Sequence, residues 1–455
     1  MTERHDVTVV GGGLAGLAAA RALRDDGHDA VVLEARDRVG GKTASEHTTY
    51  GDVVELGGQW VGADQNRVRS LLDEFDIDTR SQYDEGTVIG RIGDDRTVAD
   101  SYDELLRSIP ETAEAELFAA LEEIERCVEQ VPRDAPQEAP EAETWDDLTL
   151  QSWIEDRFET SEARATFERM IPGIYTADPG EISFLFFCYY ARTAGGFDMV
   201  AGLNHESDSH ADVVVDVQSI AESLAADLGD AVRLERPARR IEQDDDGVTV
   251  HTSDEAYRAE YVVVALPPNL AGRLTYDPPM PPGRDELTQR MPNGAVIKCL
   301  LRYETPFWRE AGLSGFVEDD AGPAHYYFDD GVPDGETGRL VGFICGDQAR
   351  VWAERGRDER LAALTDQLVS VVDDERFVTP ADYIEQVWPG EEYSRGAYHG
   401  YPTPGTITAC WEHLREPVGR IHWAGSETAT KWYGHMDGAV RSGERAAAEI
   451  RERVA

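Results

Sequence analysis

Alternation and runs of apolar residues divide the chain into elements. From Asp6 to Val10 an alternating pattern turns apolar and reads as a buried strand. Glycines follow, then an Ala/Leu-rich helix, and "AVVLE", ending at Glu34, is the next strand. Residues 101–131 carry the pattern of one amphipathic helix. "PRDAPQEAPEAETWDD" after it is an acidic, proline-rich loop, expected to be mobile and non-catalytic. "ISFLFFCYYA" from Ile182 is the most apolar stretch and is too short to span a bilayer core of about 30 Å. From Ala231 to Pro267 apolar and polar residues alternate around turns at "DDDG" and "SDE", which predicts a β-meander returning to the first sheet. A strand from Arg420, a turn at Gly425 to Glu427 and a helix from near Met436 complete the pattern, with no internal repeat.

The first unit carries chemistry. Gly11, Gly13 and Gly16 form GxGxxG between strand and helix. The first glycine allows the tight turn, the second lets backbone approach a pyrophosphate, and the third permits close helix–strand packing; the helix N-terminus offers N–H groups and positive dipole to phosphate. Glu34 stands where a carboxylate accepts from both ribose hydroxyls, which disfavours a 2′-phosphate and argues against NADP. This motif alone leaves NAD and FAD open. Two further glycine pairs, Gly40–Gly41 and Gly57–Gly58, follow where a nicotinamide domain would continue with another strand–helix unit, so a longer cofactor is expected. The helix from Met436 offers a second anion site, suited to the charge a reduced flavin develops around N1 and O2.

Composition changes the setting. The 455 residues suggest two or three domains' worth of chain. Asp and Glu number 89 against 43 Lys and Arg, a formal charge of −46 spread along the whole length. Such a surface repels itself unless concentrated cations screen it, which points to a salt-rich cytoplasm. An acidic disordered tail is excluded by the even spread and by the 41% of hydrophobic residues. Nucleic acid is excluded as a partner because no basic stripe is present. The N-terminus shows no positively charged segment leading into an apolar run, so neither a targeting segment nor a membrane anchor is expected. Five scattered cysteines without CxxC, and histidines without ligand spacing, indicate neither a disulfide framework nor a metal site.

Six motifs, "VGGGLAGLAAA", "LEARDRVGGKT", "ELGGQWVG", "VVVALPP", "GAVIKCLLRYETPFWR" and "WAGSETATKWYGHMDGAVRSGERAA", occur in an order that resembles the flavin-containing amine oxidase family, most closely its monoamine oxidase branch. The resemblance implies an α/β fold: a Rossmann-like FAD-binding domain from residues 1–82, 212–290 and 390–455, interleaved with a smaller α+β substrate domain from 83–211 and 291–389. It places Gly11, Gly13, Gly16, Glu34, Arg36, Gly41, Lys42, Gly57, Gly58, Gln59, Trp60, Trp388, Gly425, Glu427 and Met436 at the FAD site. Trp432, Tyr393 and Tyr433 are expected to pack around the flavin as well.

The lysine matching Lys298 holds a water against flavin N5 in that family. Only three lysines remain in this chain, Lys42, Lys298 and Lys431, and arginine's planar fork is no equivalent to a compact ammonium. Tyr398 and His435 match the two parallel rings that steer a neutral amine toward the flavin. The implied reaction oxidises an amine, a primary monoamine first, to an imine, then an aldehyde, while O₂ becomes hydrogen peroxide. A polyamine or L-amino-acid oxidase, a carotenoid or porphyrinogen dehydrogenase and a non-catalytic flavin-binding interaction protein stay open as alternatives. An amino-acid oxidase would need an arginine such as Arg192 or Arg395 at the substrate. Five positions depart from the family. Ala397 replaces the cysteine that joins flavin covalently, so noncovalent FAD is expected, and Lys42 replaces arginine. Val215 and Asp216 replace a glycine pair, with Asp216 expected to reshape the pocket or bind a cationic substrate. His435 replaces an aromatic ring.

Overall fold

The structure, a computed structural model, describes residues 2–93, 95–203 and 212–454. Val7–Val10 and Ala30–Leu33 are buried at every position, as strands covered on both faces require. They pair in parallel with each other and with Val232–Arg233, Tyr261–Val264 and Ile421–Trp423. In chain order these five strands lie 3-2-1-4-5 across the sheet, so the direction of progression reverses between the first and fourth. Ligands bind in α/β sheets at such a reversal, beyond the carboxyl ends of the strands. Helix Leu14–Asp25 starts there. It packs against the last helix, Met436–Val454, at Gly443, where a Cβ would stand 2.1 Å from the Ala15 carbonyl oxygen.

The predicted meander exists as Arg240–Asp244, Gly247–His251 and Ala256–Ala259, paired antiparallel. These strands form a separate sheet with Thr2–Arg4 and Thr275–Asp277, and only the next strand, Tyr261–Val264, returns to the parallel sheet. A third sheet of seven strands contains Val296–Tyr303, which carries Lys298, between Gly338–Cys345 and Asp382–Val387. Thr87–Ile92 and Asp95–Ala99 lie at its far edge. Beside this sheet, helices Glu111–Gln130, Leu150–Arg157, Ser161–Tyr175 and Phe184–Ala194 share one apolar core.

Two expectations for the helical region are corrected. Residues 101–131 form two helices, Tyr102–Arg107 and Glu111–Gln130, because Pro110 lacks an N–H and starts the second one. The acidic segment after them is packed: it contains the short turn Pro136–Glu138 and helix Ala142–Asp147, with Pro136, Ala139, Ala142 and Asp146 buried. Asp146 accepts hydrogen bonds from Ser183 Oγ at 2.9 Å and from Thr408 N and Oγ1 at 2.8 and 2.9 Å. "ISFLFFCYYA" supplies a buried core helix, capped by Ser183. Among the described residues no helix is long and apolar enough to cross a membrane.

Candidate functional site

A cavity of about 1100 Å³ opens at the carboxyl ends of the parallel strands and runs to the face of the seven-stranded sheet. Ordinary small-molecule pockets measure roughly 300–1,000 Å³, so there is room for a dinucleotide and a second molecule. Of the residues placed at the FAD site, together with Lys298, Tyr398 and His435, all but Gly16 line this cavity. Gly16 acts behind the wall: a Cβ there would lie 1.9 Å from the Gly11 carbonyl oxygen, which prevents any other residue from seating the helix on the strand.

Bare backbone forms the cradle at one end. Gly11 has φ +108°, a conformation L side chains rarely adopt, and a Cβ at Gly13 would meet nothing closer than 3.9 Å, leaving open space before the first turn of Leu14–Asp25. That turn holds no acidic side chain, so its N–H groups face the opening uncompensated. Glu34, nearly buried, accepts from Gly12 N at 2.7 Å and Arg36 N at 2.9 Å. Two amides fix the carboxylate and leave lone pairs for hydroxyl donors. Arg36 donates to Ser394 Oγ at 2.9 Å, and its guanidinium lies over the Tyr393 ring, tying the segment after Trp388 to this end. Trp388 in turn donates from Nε1 to Leu56 O at 3.0 Å. The cradle and its polar rim fit a dinucleotide.

Farther along, Lys42 Nζ lies 3.2 Å from Glu427 Oε1, which also accepts from Gly400 N at 3.0 Å. Burial works against the Glu427 carboxylate, but Lys42 and the Gly400 amide hold its pKa below the ordinary value. Met436 and Gly425 line the same wall, Gly425 with φ +127°. The last helix bears Asp437 in its first turn, and this carboxylate accepts from Arg67 N and Val68 N, capping helix Asn66–Glu74. The second anion site is therefore partly offset by an acid of its own.

At the other end Lys298, 2% exposed, donates to Gly57 O at 2.9 Å and to Gln59 Oε1. Its Nζ lies 5.9 Å from the Trp60 ring and 5.8 Å from the Phe343 ring. Burial lowers its pKa, against the pull of Asp330 and Glu55. Burial likewise raises Glu55, whose partner is Ser45 Oγ at 2.7 Å.

Around this end the lining is aromatic and apolar: Met170, Ile174, Tyr190, Tyr326, Phe328 and Phe343 join Tyr398 and His435. His435 stacks on Tyr190 with centroids 5.7 Å apart, and its Nδ1 lies 2.8 Å from Tyr433 O. An imidazole Nδ1 facing a carbonyl carries the proton. Tyr190 escaped sequence reading because it sits inside an apolar run that signals only a core helix. Trp432 and Tyr433 do not line the cavity; they are buried behind it, with Trp432 Nε1 3.3 Å from Asp64 O and Tyr433 Oη 2.5 Å from Gly400 O. Lys431 is outside the lining too. Asp216 does not line the cavity: its carboxylate lies 3.3 Å from His47 Nε2. Arg192 also lies elsewhere, donating to Val131 O, whereas Arg395 is an exposed lining residue.

Comparison with known proteins agrees with this geometry. Residues 14–451 match the family model of flavin containing amine oxidoreductase. The chain is 38% identical to a protein of Dictyostelium discoideum named "Probable flavin-containing monoamine oxidase A", over 100% of this chain and 99% of that protein. It is 37% identical to "Amine oxidase [flavin-containing] B" of Sus scrofa, over 99% of this chain and 86% of that one. Among solved structures, a wild-type putrescine oxidase bound to putrescine superposes with TM-score 0.92 at 33% identity, covering 100% of both chains. Cyclohexylamine oxidase from Brevibacterium oxydans does so with TM-score 0.92 at 29% identity, covering 99% of both. With a dinucleotide cradle and a buried lysine in one cavity, and matches that run almost the full length, the chain belongs to the flavin-containing amine oxidoreductase family.

Proposed function

We propose that this chain is an FAD-dependent oxidase of small amines, with O₂ as electron acceptor. The observation that carries the reading is the single cavity in which a dinucleotide cradle, a buried ammonium and an aromatic chamber meet. FAD, when bound, would supply the hydride acceptor and the route by which two electrons reach O₂ to give hydrogen peroxide. The chain's residues do the rest. Gly11, Gly13, the first turn of Leu14–Asp25, Glu34 and Arg36 hold the nucleotide; Gly41, Lys42, Gly57, Gly58, Trp388, Gly425, Glu427 and Met436 hold the remainder, with Gln59 and Trp60 beside Lys298. Lys298 keeps a fixed positive charge where O₂ acquires negative charge. Tyr398 and His435 orient the amine, and the apolar lining favours its neutral form over ammonium.

The lining also supports a monoamine over a diamine. Among its described carboxylates, Asp329 is held by Arg309 and Trp308, Glu34 by two amides and Glu427 by Lys42, while Asp84, Asp100 and Glu392 are exposed. No buried carboxylate in the described lining is left to receive a second ammonium. Ala397 lines the cavity and no described cysteine does, which supports noncovalent FAD. Acid precipitation should then release the flavin into the supernatant. The division into 1–82, 212–290 and 390–455 against 83–211 and 291–389 is supported by the strands of the parallel sheet, drawn from the first set, and of the seven-stranded sheet, drawn from the second. The charge of −46 supports work in a salt-rich cytoplasm.

The test is anaerobic addition of monoamines, diamines and amino acids, in separate cuvettes, to the FAD-loaded protein in molar KCl. Bleaching of the visible flavin band by apolar monoamines, then peroxide on admitting air, is expected. A flavin that none of these bleaches would overturn the reading.

A further inference from the structure

Behind Lys298 lies a chain of buried polar groups that the proposed chemistry does not itself use. Gln59 accepts from Lys298 Nζ with Oε1 and donates from Nε2 to Asp330 Oδ1 at 3.2 Å. Asp330 is 1% exposed, lies outside the cavity lining, and receives Arg80 Nη2 at 3.0 Å; Arg339 Nε lies 2.8 Å from its Oδ2. Arg339 also spans to Val53 O, at the start of the strand that carries Glu55.

We infer that Asp330 is a positioning residue for Lys298, acting through Gln59. An amide side chain has a donor end and an acceptor end, and an ammonium can only donate. Gln59 therefore serves Lys298 only with its oxygen turned inward. The acceptor-only carboxylate of Asp330 enforces that orientation by taking the opposite NH₂. Arg80 and Arg339 keep Asp330 ionised: burial alone would raise its pKa, and the two guanidiniums with Lys298 bring it below the ordinary value. The charged groups facing Lys298 are thus Asp330 and Glu55, which favour its ammonium, and Arg339 and Arg80, which oppose it, with Trp60 and Phe343 as the flanking rings. Asp330→Asn removes a charge and lets Gln59 turn its NH₂ toward the ammonium.

The functional weight of this inference rests on the proposed role of Lys298, but its structural core can be measured without turnover. The chain's three lysines make the FAD-loaded protein, labelled with [¹³Cε]lysine, a three-signal NMR sample, with Lys298→Met assigning the relevant signal. Asp330→Asn and Gln59→Leu should each move the Lys298 titration downward by about one pH unit, with the double variant moving no further than the larger single change. Asp330→Glu should restore part of the shift. Unchanged Lys42 and Lys431 signals report an intact fold, and Gln59→Leu, which strands no buried arginine, carries the test should Asp330→Asn not fold. A Lys298 titration that stays in place in the folded variants overturns the inference. Stopped-flow mixing of reduced enzyme with O₂ then separates the two readings. A loss of about fivefold at pH 8, exceeding any loss in amine reduction, is expected, since a shift of about one pH unit would leave roughly a fifth of the ammonium. A shifted titration with an unaltered oxygen rate would support the positioning of Lys298 and sink its assigned role in oxygen chemistry.

Discussion

Replacing Lys298 by methionine removes an ammonium while keeping an unbranched side chain in strand Val296–Tyr303. If the charge serves O₂, reoxidation in Lys298→Met should slow by roughly 10²–10³-fold, the scale on which one preorganised electrostatic contact contributes, and bleaching by amine should fall much less. Lys298→Arg should not rescue it, because a planar fork cannot occupy the site of a compact ammonium. Burial sets the pH response: it lowers Lys298 from the ordinary 10.5, so the oxygen rate should decline with rising pH earlier than an unperturbed lysine would require. A pH profile of the oxygen half-reaction checks this. At this scale glycine spacing made Gly11, Gly13 and Gly16 legible, since only backbone can do what those positions do. Tyr190 and Asp330 were not legible: one is hidden in an apolar run, and the other reaches Gln59 only through tertiary packing.

Elements were legible where local chemistry decides them. The strand–turn–helix at the N-terminus and the strand and helix at the C-terminus follow from glycine placement and apolar runs, and both stand where expected. The region 101–147 was misread because its prolines punctuate helices there, and its polar residues face inward. Asp146 is the clearest case, fully buried and joining helix Ala142–Asp147 to Ser183 and Thr408. Asp146→Ala should destabilise the protein by about 2–3 kcal/mol by leaving these donors without an acceptor, as urea unfolding would show. Gly443→Ala forces a methyl against the Ala15 carbonyl; overpacking of this kind costs about 1–3 kcal/mol, and flavin retention should weaken with it.

At the scale of the whole molecule, charge and acid sensitivity dominate. The Debye length falls from about 10 Å at 0.1 M salt to about 3 Å at 1 M, so the thermal midpoint should climb between 0.1 and 2 M KCl; a flat response would remove the case for a salt-adapted protein. Two histidines add a pH term. Burial lowers His325 to about 4 and His399 to about 3. His325 Nδ1 faces the Cys345 amide at 3.4 Å and must be unprotonated to accept it. Below pH ~6.5 the unfolded chain binds protons that the folded one refuses, so stability should drop as pH falls from about 6.5 toward these values. His325→Gln should flatten part of that slope in thermal melts.

The pairing of the first and last helices also bears on biosynthesis. The cradle walls near Gly11 and Lys42 emerge early from the ribosome, yet Gly425, Glu427 and Met436 arrive only with the final stretch, and Gly443 must reach Ala15 before the parallel sheet is covered. A nascent chain that has not yet released Met436–Val454 therefore has no enclosed place for flavin, and loading of the cofactor belongs after that helix has docked on Leu14–Asp25.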